Sequence, residues 1–274
     1  MSIDKAAARD LKRRVHHFST LKQRQQKIVV VTAYDYPTAL AADTAGADAI
    51  LVGDSLGMVA LGFESTIPVT VDMMVHHTAA VRRGSKRAFL IADLPFLSYK
   101  ISADQALTSV SRLMQEGNAE AVKMEGGCEI AEIVRRVVDA GVPVMGHVGL
   151  TPQSVHALGG YRVQGRSDDS AKAIRRDALS LQEAGVFSIV LEAIDPTLAQ
   201  ELSETLTVPT IGIGASRHCD GQVLVISDLV GLLPTAPPKF AKQYANLHDQ
   251  MTQAIRTYAQ EVRGAEFPTD RNEY

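Results

Sequence analysis

Four short apolar runs in this chain each end in an acid. Ile50-Leu51-Val52-Gly53 leads to Asp54, Phe89-Leu90-Ile91-Ala92 to Asp93, Ala121-Val122-Lys123-Met124 to Glu125, and Ile189-Val190-Leu191 to Glu192. A carboxylate where a buried segment meets a loop is costly unless it finds a cation or several hydrogen-bond donors. Three acids brought together raise one another's pKa unless a cation sits among them, and an all-oxygen donor set favours Mg²⁺, with Mn²⁺ or Co²⁺ as substitutes. A 2-oxo acid chelated there through its carboxylate and ketone oxygens would have a more acidic hydrogen on the neighbouring carbon, because the metal stabilises the enolate. Lys123 stands two residues before Glu125, on the same strand face, and could offset the substrate's carboxylate. Glu192, reached through apolar residues that would raise its pKa, is the candidate base. The residues alone leave alternatives open: each acid could cap its own loop or the next helix, Glu192 could be a fourth ligand, and Lys123 could pair with a structural acid.

Such a cluster needs elements that bring strand ends together. Eight apolar segments read as buried strands: 28–34, 48–53, 88–92, 119–124, 142–147, 186–191, 209–214 and 223–226. Between them lie helical stretches at 38–45, 72–83, 103–116, 128–140, 169–184 and 196–205, several followed by Gly. Eight strands alternating with helices predict a (β/α)₈ TIM barrel, whose sites form at the C-terminal strand ends. That puts Asp54, Asp93 and Glu125 on adjacent strands 2, 3 and 4, with Glu192 on strand 6. A doubly wound sheet competes, but no G-x-G-x-x-G turn opens the first helix. Between Gly214 and Val223 there is no room for a full helix, so the seventh crossover must be abbreviated. The stretches 57–68 and 149–166 read as long loops, the second Gly-rich enough for a working loop. Nothing divides the chain, so residues 1–274 are expected to form one barrel domain. A lead-in over 1–26 would carry an extra charged N-terminal helix at 4–18, and residues 239–274 a last helix at 239–263 with a loose polar tail.

Other residues fall at the same rim. His147 in Gly146-His147-Val148-Gly149 ends the fifth strand and could touch substrate or a ligating side chain; Tyr34 and Ser55 are rim candidates too. Gly212-Ile213-Gly214-Ala215 suits either a phosphate cradle or close packing. His76-His77 lies on a helix, where neighbours face different ways, and reads as structural.

Composition narrows the function classes. The chain has 274 residues, 46% of them hydrophobic, enough for a sizeable core. Its net charge is −3 with acids and bases interspersed, which leaves no electrostatic footprint for nucleic acid. Two distant cysteines, Cys128 and Cys219, offer neither a disulfide framework nor zinc spacing and fit a reducing compartment. Residues 1–20 lack the apolar stretch of a secretory signal, and no run approaches the ~20 apolar residues of a spanning helix. A cytoplasmic location without membrane contact is the expectation.

Several longer stretches carry a family resemblance: Thr32-Ala33-Tyr34-Asp35-Tyr36-Pro37, Val52-Gly53-Asp54-Ser55-Leu56-Gly57, Asp93-Leu94-Pro95-Phe96, Val122-Lys123-Met124-Glu125-Gly126-Gly127, Gly146 through Gln153, Gly159 through Gly165, Ile189-Val190-Leu191-Glu192 and Asp220 through Val225. In these the chain resembles the 3-methyl-2-oxobutanoate hydroxymethyltransferase (ketopantoate hydroxymethyltransferase) family over nearly its whole length. The resemblance implies a barrel of the phosphoenolpyruvate/pyruvate superfamily. It implies transfer of a hydroxymethyl group from 5,10-methylenetetrahydrofolate to 3-methyl-2-oxobutanoate, giving 2-dehydropantoate on the way to pantothenate and coenzyme A. Carried over by position, Asp54, Asp93 and Glu125 match the Mg²⁺ shell, Asp54, Ser55, Asp93 and Lys123 the substrate contacts, and Glu192 the proton acceptor. A cytoplasmic homodecamer is implied as well. Two departures flank the site: Ser216 where the family usually has Gly, and Ala193-Ile194 in place of Val-Pro. A carbon–carbon lyase of the isocitrate lyase kind would share the acids but needs a Lys-Lys-Cys-Gly-His loop, which is absent. A catalytically silent barrel would have little use for Glu192.

Overall fold

The computed structural model describes residues 11–274, which cluster into two compact units, one running to Val225 and the other spanning Ile226–Tyr274. The first unit holds eight strands: β1 (Ile28–Thr32), β2 (Ala49–Val52), β3 (Phe89–Asp93), β4 (Ala121–Glu125), β5 (Val144–Gly149), β6 (Ser188–Glu192), β7 (Thr210–Ile213) and β8 (Gly221–Leu224). They close in chain order into an all-parallel barrel, β8 pairing back onto β1. This is the expected (β/α)₈ architecture. Strands buried on both faces read as unbroken apolar runs, which is why they stood out in the sequence.

Inside the barrel, alternate residues stack in layers. The lower layer comprises Ile28, Val30, Ala49, Phe89, Ile91, Ala121, Met145 and Ile211, packed with Phe18 and Leu21. Those two belong to α1 (His16–Gln23), which closes the N-terminal end of the barrel. Phe18 meets Phe89 and Phe187 edge to face, with ring centroids 5.9 and 5.0 Å apart. The end opposite α1 is therefore where side chains can face a ligand.

The outer ring is α2 (Tyr36–Ala45), α3 (Val71–Gly84), α4 (Ala103–Gln115), α5 (Ala131–Asp139), α6 (Asp168–Glu183) and α7 (Pro196–Thr205). The side chains of Asp35, Thr70, Ser102, Ser167 and Asp195 accept first-turn N–H groups of α2, α3, α4, α6 and α7. Each cap contributes roughly 1 kcal/mol. No helix separates β7 from β8, so the seventh crossover is the short one expected.

Four expectations need correction. Of the helix read at 4–18, residues 4–10 lie outside the described residues, and residues 11–15 are not helical; the helix begins at His16. The loop at 57–68 opens with a helical turn, Leu56–Val59. The loop at 149–166 contains a 3₁₀ turn at Pro152–Ser154 and a short helix at Val155–Leu158, ended by Gly159 at φ 67°. In the second unit the last helix, α8 (Leu247–Arg263), starts eight residues later than read, because Asn246 caps it through Asp249 N–H. Among the described residues no helix is long and apolar enough to cross a membrane.

Candidate active site

Strand register brings the acids together. Asp93 pairs with Lys123 across β3 and β4, Glu125 with His147 across β4 and β5, and Glu192 with Ile213 across β6 and β7. Asp54, Ser55, Asp93, Lys123, Glu125, His147 and Glu192 all line one cavity of about 100 Å³ at the C-terminal strand ends. Tyr34 reaches it indirectly, its hydroxyl 2.8 Å from Ser55 Oγ. His77 Nδ1 donates to the Tyr34 carbonyl (2.6 Å), as a structural residue should.

Within the cluster the charges are unequally matched. The Lys123 ammonium lies 3.0 Å from Asp93 Oδ1 and 3.6 Å from Glu125 Oε1. His147 Nδ1 is 3.4 Å from Glu125 Oε1, and its Nε2 is 3.3 Å from Glu192 Oε2. One imidazole thus stands between the acid cluster and the candidate base. Burial alone would raise the Glu125 pKa, but Lys123 and His147 outweigh it and hold it down to about 2. Burial and the Lys123 charge disfavour the imidazolium, yet hydrogen bonds to Glu125 and Glu192 push His147 up to about 9. Asp54 is held well above the ordinary carboxylate range by burial and by the neighbouring Asp93 and Glu125 charges. Asp93 also lies above it, through burial and Glu125, with Lys123 opposing.

Lys123 and His147 face Glu125, and Lys123 also faces Asp93, so three acids share these two groups and the structure gives Asp54 no ion pair among the described residues. Asp54 N–H donates to Asp93 Oδ2 (3.0 Å), and Asp93 Oδ1 is buried with no hydrogen bond of acceptable geometry. That is the condition a hard divalent cation relieves, and the oxygen donors suit one. Among the described residues no three His, Cys, Asp or Glu side chains form a ready-made metal cage. The set fits a cation held by Asp54 and Asp93 with Glu125 close by, the rest of its shell coming from substrate or water.

Two residues to which the sequence reading gave no role complete the network. Gln153 is 3% exposed; its side-chain N–H₂ donates to Asp54 Oδ2 (2.8 Å) and Leu94 O (2.9 Å), and its backbone N–H to Glu125 Oε2 (3.1 Å). The buried Tyr99 hydroxyl accepts from Glu125 N–H (3.0 Å) and donates to the Glu125 carbonyl (2.7 Å), with Gln153 Oε1 at 3.1 Å. The apolar-run rule could not find them, since neither ends a strand. A Tyr in Ser98-Tyr99-Lys100 that is wholly buried has no pattern to announce it.

Glu192 is fixed by backbone. Gly149 has φ 98°, and a Cβ there would collide with the Glu192 carbonyl, which accepts from Leu150 N–H (2.9 Å). Ala193, one of the two departures, has φ 45°, a left-handed conformation that a β-branched residue resists. Gly212 packs so closely on Cys219 and Gln222 that an added Cβ would lie 3.0 Å from each, which favours close packing over a phosphate cradle.

The family model for ketopantoate hydroxymethyltransferase matches residues 12–270. The chain belongs to the ketopantoate hydroxymethyltransferase family. Proteins named 3-methyl-2-oxobutanoate hydroxymethyltransferase from Carboxydothermus hydrogenoformans and Moorella thermoacetica are 52% and 54% identical to it over 260 and 254 residues. Those alignments cover 95% and 93% of this chain and 94% of each relative. As a ketopantoate hydroxymethyltransferase family member the chain is an enzyme, a transferase. In fold it is similar to a phosphonopyruvate hydrolase solved with oxalate and Mg²⁺, with TM-score 0.61, 13% identity, and 94% and 93% of the two chains covered. A 2,3-dimethylmalate lyase of the PEP mutase/isocitrate lyase superfamily gives TM-score 0.59 at 14% identity, covering 95% and 88%. These two support the barrel type alone.

Proposed function

We propose that the enzyme carries out Mg²⁺-dependent transfer of a hydroxymethyl group from 5,10-methylenetetrahydrofolate to 3-methyl-2-oxobutanoate, giving 2-dehydropantoate for pantothenate and coenzyme A synthesis. The observation that carries the reading is the division of the cavity. Its polar wall comes from the ends of β2 to β5, with Asp54, Asp93, Lys123, Glu125 and His147; its apolar lining is Leu51, Val190, Ile213, Val223 and Val225. Glu192 stands at the seam, register partner of Ile213. A small branched 2-oxo acid has the same division: charged and polar at C1 and C2, apolar beyond C3, with the reactive C–H between.

Asp54 and Asp93 would hold the Mg²⁺, with Glu125 alongside. When bound, Mg²⁺ would polarise the substrate ketone and so acidify the C3 hydrogen. The Lys123 ammonium, kept charged by Asp93, Glu125 and Asp54 despite its burial, meets the substrate carboxylate, and Ser55 offers it a hydroxyl. Glu192 takes the C3 proton on a carboxylate oxygen, steadied by the His147 imidazole at 3.3 Å. Water takes the donor's one-carbon unit off by breaking its two C–N bonds, its oxygen staying on that carbon and its two protons going to the nitrogens of the departing tetrahydrofolate. The electron pair left at C3 then forms the new C–C bond to that carbon, and the proton held by Glu192 passes to the resulting hydroxyl.

Activity measured with 3-methyl-2-oxobutanoate and methylenetetrahydrofolate, with and without EDTA, tests this. Product formation that EDTA abolishes and Mg²⁺ restores is expected; full activity in EDTA would overturn the metal assignment, and no product at all the reaction. Self-association as a homodecamer belongs to the same proposal. What supports it is an apolar stripe on α8, where Met251, Ile255, Tyr258 and Val262 are all exposed and no residue of the helix is buried.

A further inference from the structure

The loop after β5 is tied at both ends to opposite sides of the cavity. At its start Gln153 contacts three strand ends: Asp54 after β2, Leu94 O after β3 and Glu125 on β4. Both N–H donors of this side chain are used, and Oε1 lies 3.1 Å from the Tyr99 hydroxyl, whose one proton is shared between it and the Glu125 carbonyl. A buried amide with both its donors paired is costly to misplace, since rotation leaves them without acceptors. At its end the loop is stitched beside the candidate base: Gln164 N–H donates to Ala193 O (2.8 Å) and Asp195 N–H to Gln164 O (2.9 Å). Between these points Pro152 lines the cavity wall, and Tyr161 meets Met58 Sδ at 3.8 Å. The cluster's charge imbalance and the loop's position therefore meet at one side chain.

We propose that Gln153 is a positioning residue that sets the Asp54 carboxylate and fastens the 149–166 loop to the acid cluster, so that divalent-cation binding and loop closure are linked. The inference rests on the reading of Asp54 and Asp93 as cation ligands. Its amide donates to Oδ2 of Asp54, a residue that lines the cavity, and so fixes the rotation of that carboxylate. A side chain that orients a ligating carboxylate typically changes metal affinity 10–100-fold when removed. Linkage is reciprocal: if an ordered loop strengthens cation binding, a bound cation orders the loop by the same factor. Tyr99 acts through Gln153 and the Glu125 backbone, and removal of its hydroxyl should weaken the same coupling.

The test uses the full-length protein and Mn²⁺ as the probe, with binding read by electron paramagnetic resonance and loop order by the rate of limited proteolysis within 149–166. Wild type should bind Mn²⁺, and Mn²⁺ should slow cleavage in the loop. Gln153→Leu should lower Mn²⁺ affinity roughly 10–100-fold and show loop cleavage that saturating Mn²⁺ no longer slows, with circular dichroism unchanged. A purely structural Gln153 would lower the melting temperature but leave Mn²⁺ affinity and protection as in wild type, and that result overturns the inference. If Gln153→Leu does not fold, Tyr99→Phe is read in its place against the same outcomes. Wild type that binds no Mn²⁺ sinks the ligand assignment itself and this inference with it, whereas wild-type binding with unaltered variants sinks the inference alone.

Discussion

Glu192 differs from the other acids in its neighbours: no lysine reaches it, and its recorded charged partner is the His147 ring on one side while apolar Ile213 flanks it on the other. That is the setting for a group that must accept a proton from carbon and release it again. Glu192→Gln keeps the shape and removes the basic oxygen, so exchange of the C3 hydrogen of 3-methyl-2-oxobutanoate in D₂O should fall by about 10²–10⁴-fold. Substrate and Mg²⁺ binding should persist, and proton NMR of the substrate reads the exchange directly; unimpaired exchange would remove Glu192 from the reaction. Asp54→Ala combined with Asp93→Ala should abolish the response to Mg²⁺ altogether, checked by titrating the metal into the exchange assay. All four acids were legible in the sequence because each is a charge at the end of an apolar run, an anomaly with an energetic cost. Gln153 and Tyr99 were not, because an uncharged residue in a loop acquires meaning only when the strand ends beneath it converge.

Elements of the barrel were legible in proportion to how far burial alone determines them. Strands enclosed on both faces left apolar runs that located all eight, with ends off by at most two residues. Helix starts depended on single caps such as Asn246, which spacing does not reveal. The apolar wall of β7 and β8 makes an element-scale prediction. Ile213→Ala or Val225→Ala should enlarge the space beyond C3, so that the ratio of kcat/KM for 3-methyl-2-oxopentanoate over 3-methyl-2-oxobutanoate rises about tenfold. An unchanged ratio would place the alkyl group elsewhere. A second junction, between α2 and β3, rests on Asp43, which is 4% exposed and accepts from the N–H groups of Ala88 (2.7 Å) and Arg87 (2.8 Å). Burial raises its pKa, but these backbone donors with Lys86, and the Arg87 guanidinium, outweigh it and hold the carboxyl below its usual range. A depressed folded pKa stabilises the protein above the unfolded value of about 3.9, and that contribution is lost as pH falls through the folded pKa. Asp43→Ala should therefore cost about 1–3 kcal/mol at pH 7. In urea melts the gap from wild type should narrow steadily below pH 4; a gap independent of pH would assign the loss to packing.

For the whole molecule, eight apolar segments alternating with helices predict a closed ring, and the barrel unit has it. The C-terminal helix was legible as a helix over 239–263 but its uncovered apolar face was not, since a sequence never shows what meets a face. A helix of this length is marginal in water without a packed face, yet α8 leaves Met251, Ile255, Tyr258 and Val262 to solvent. The net charge of −3 offers little repulsion between copies, and identical chains present the stripe at equal concentration. If copies cover it in the proposed decamer, Ile255→Asp places a charge in the centre of the contact and should shift the protein to smaller species in sedimentation velocity at micromolar concentration. The folded barrel should survive, because no buried residue of the helix is altered, and near-native circular dichroism would show it. A wild-type sedimentation coefficient for Ile255→Asp would exclude this face from self-association and leave the helix to be covered in another way.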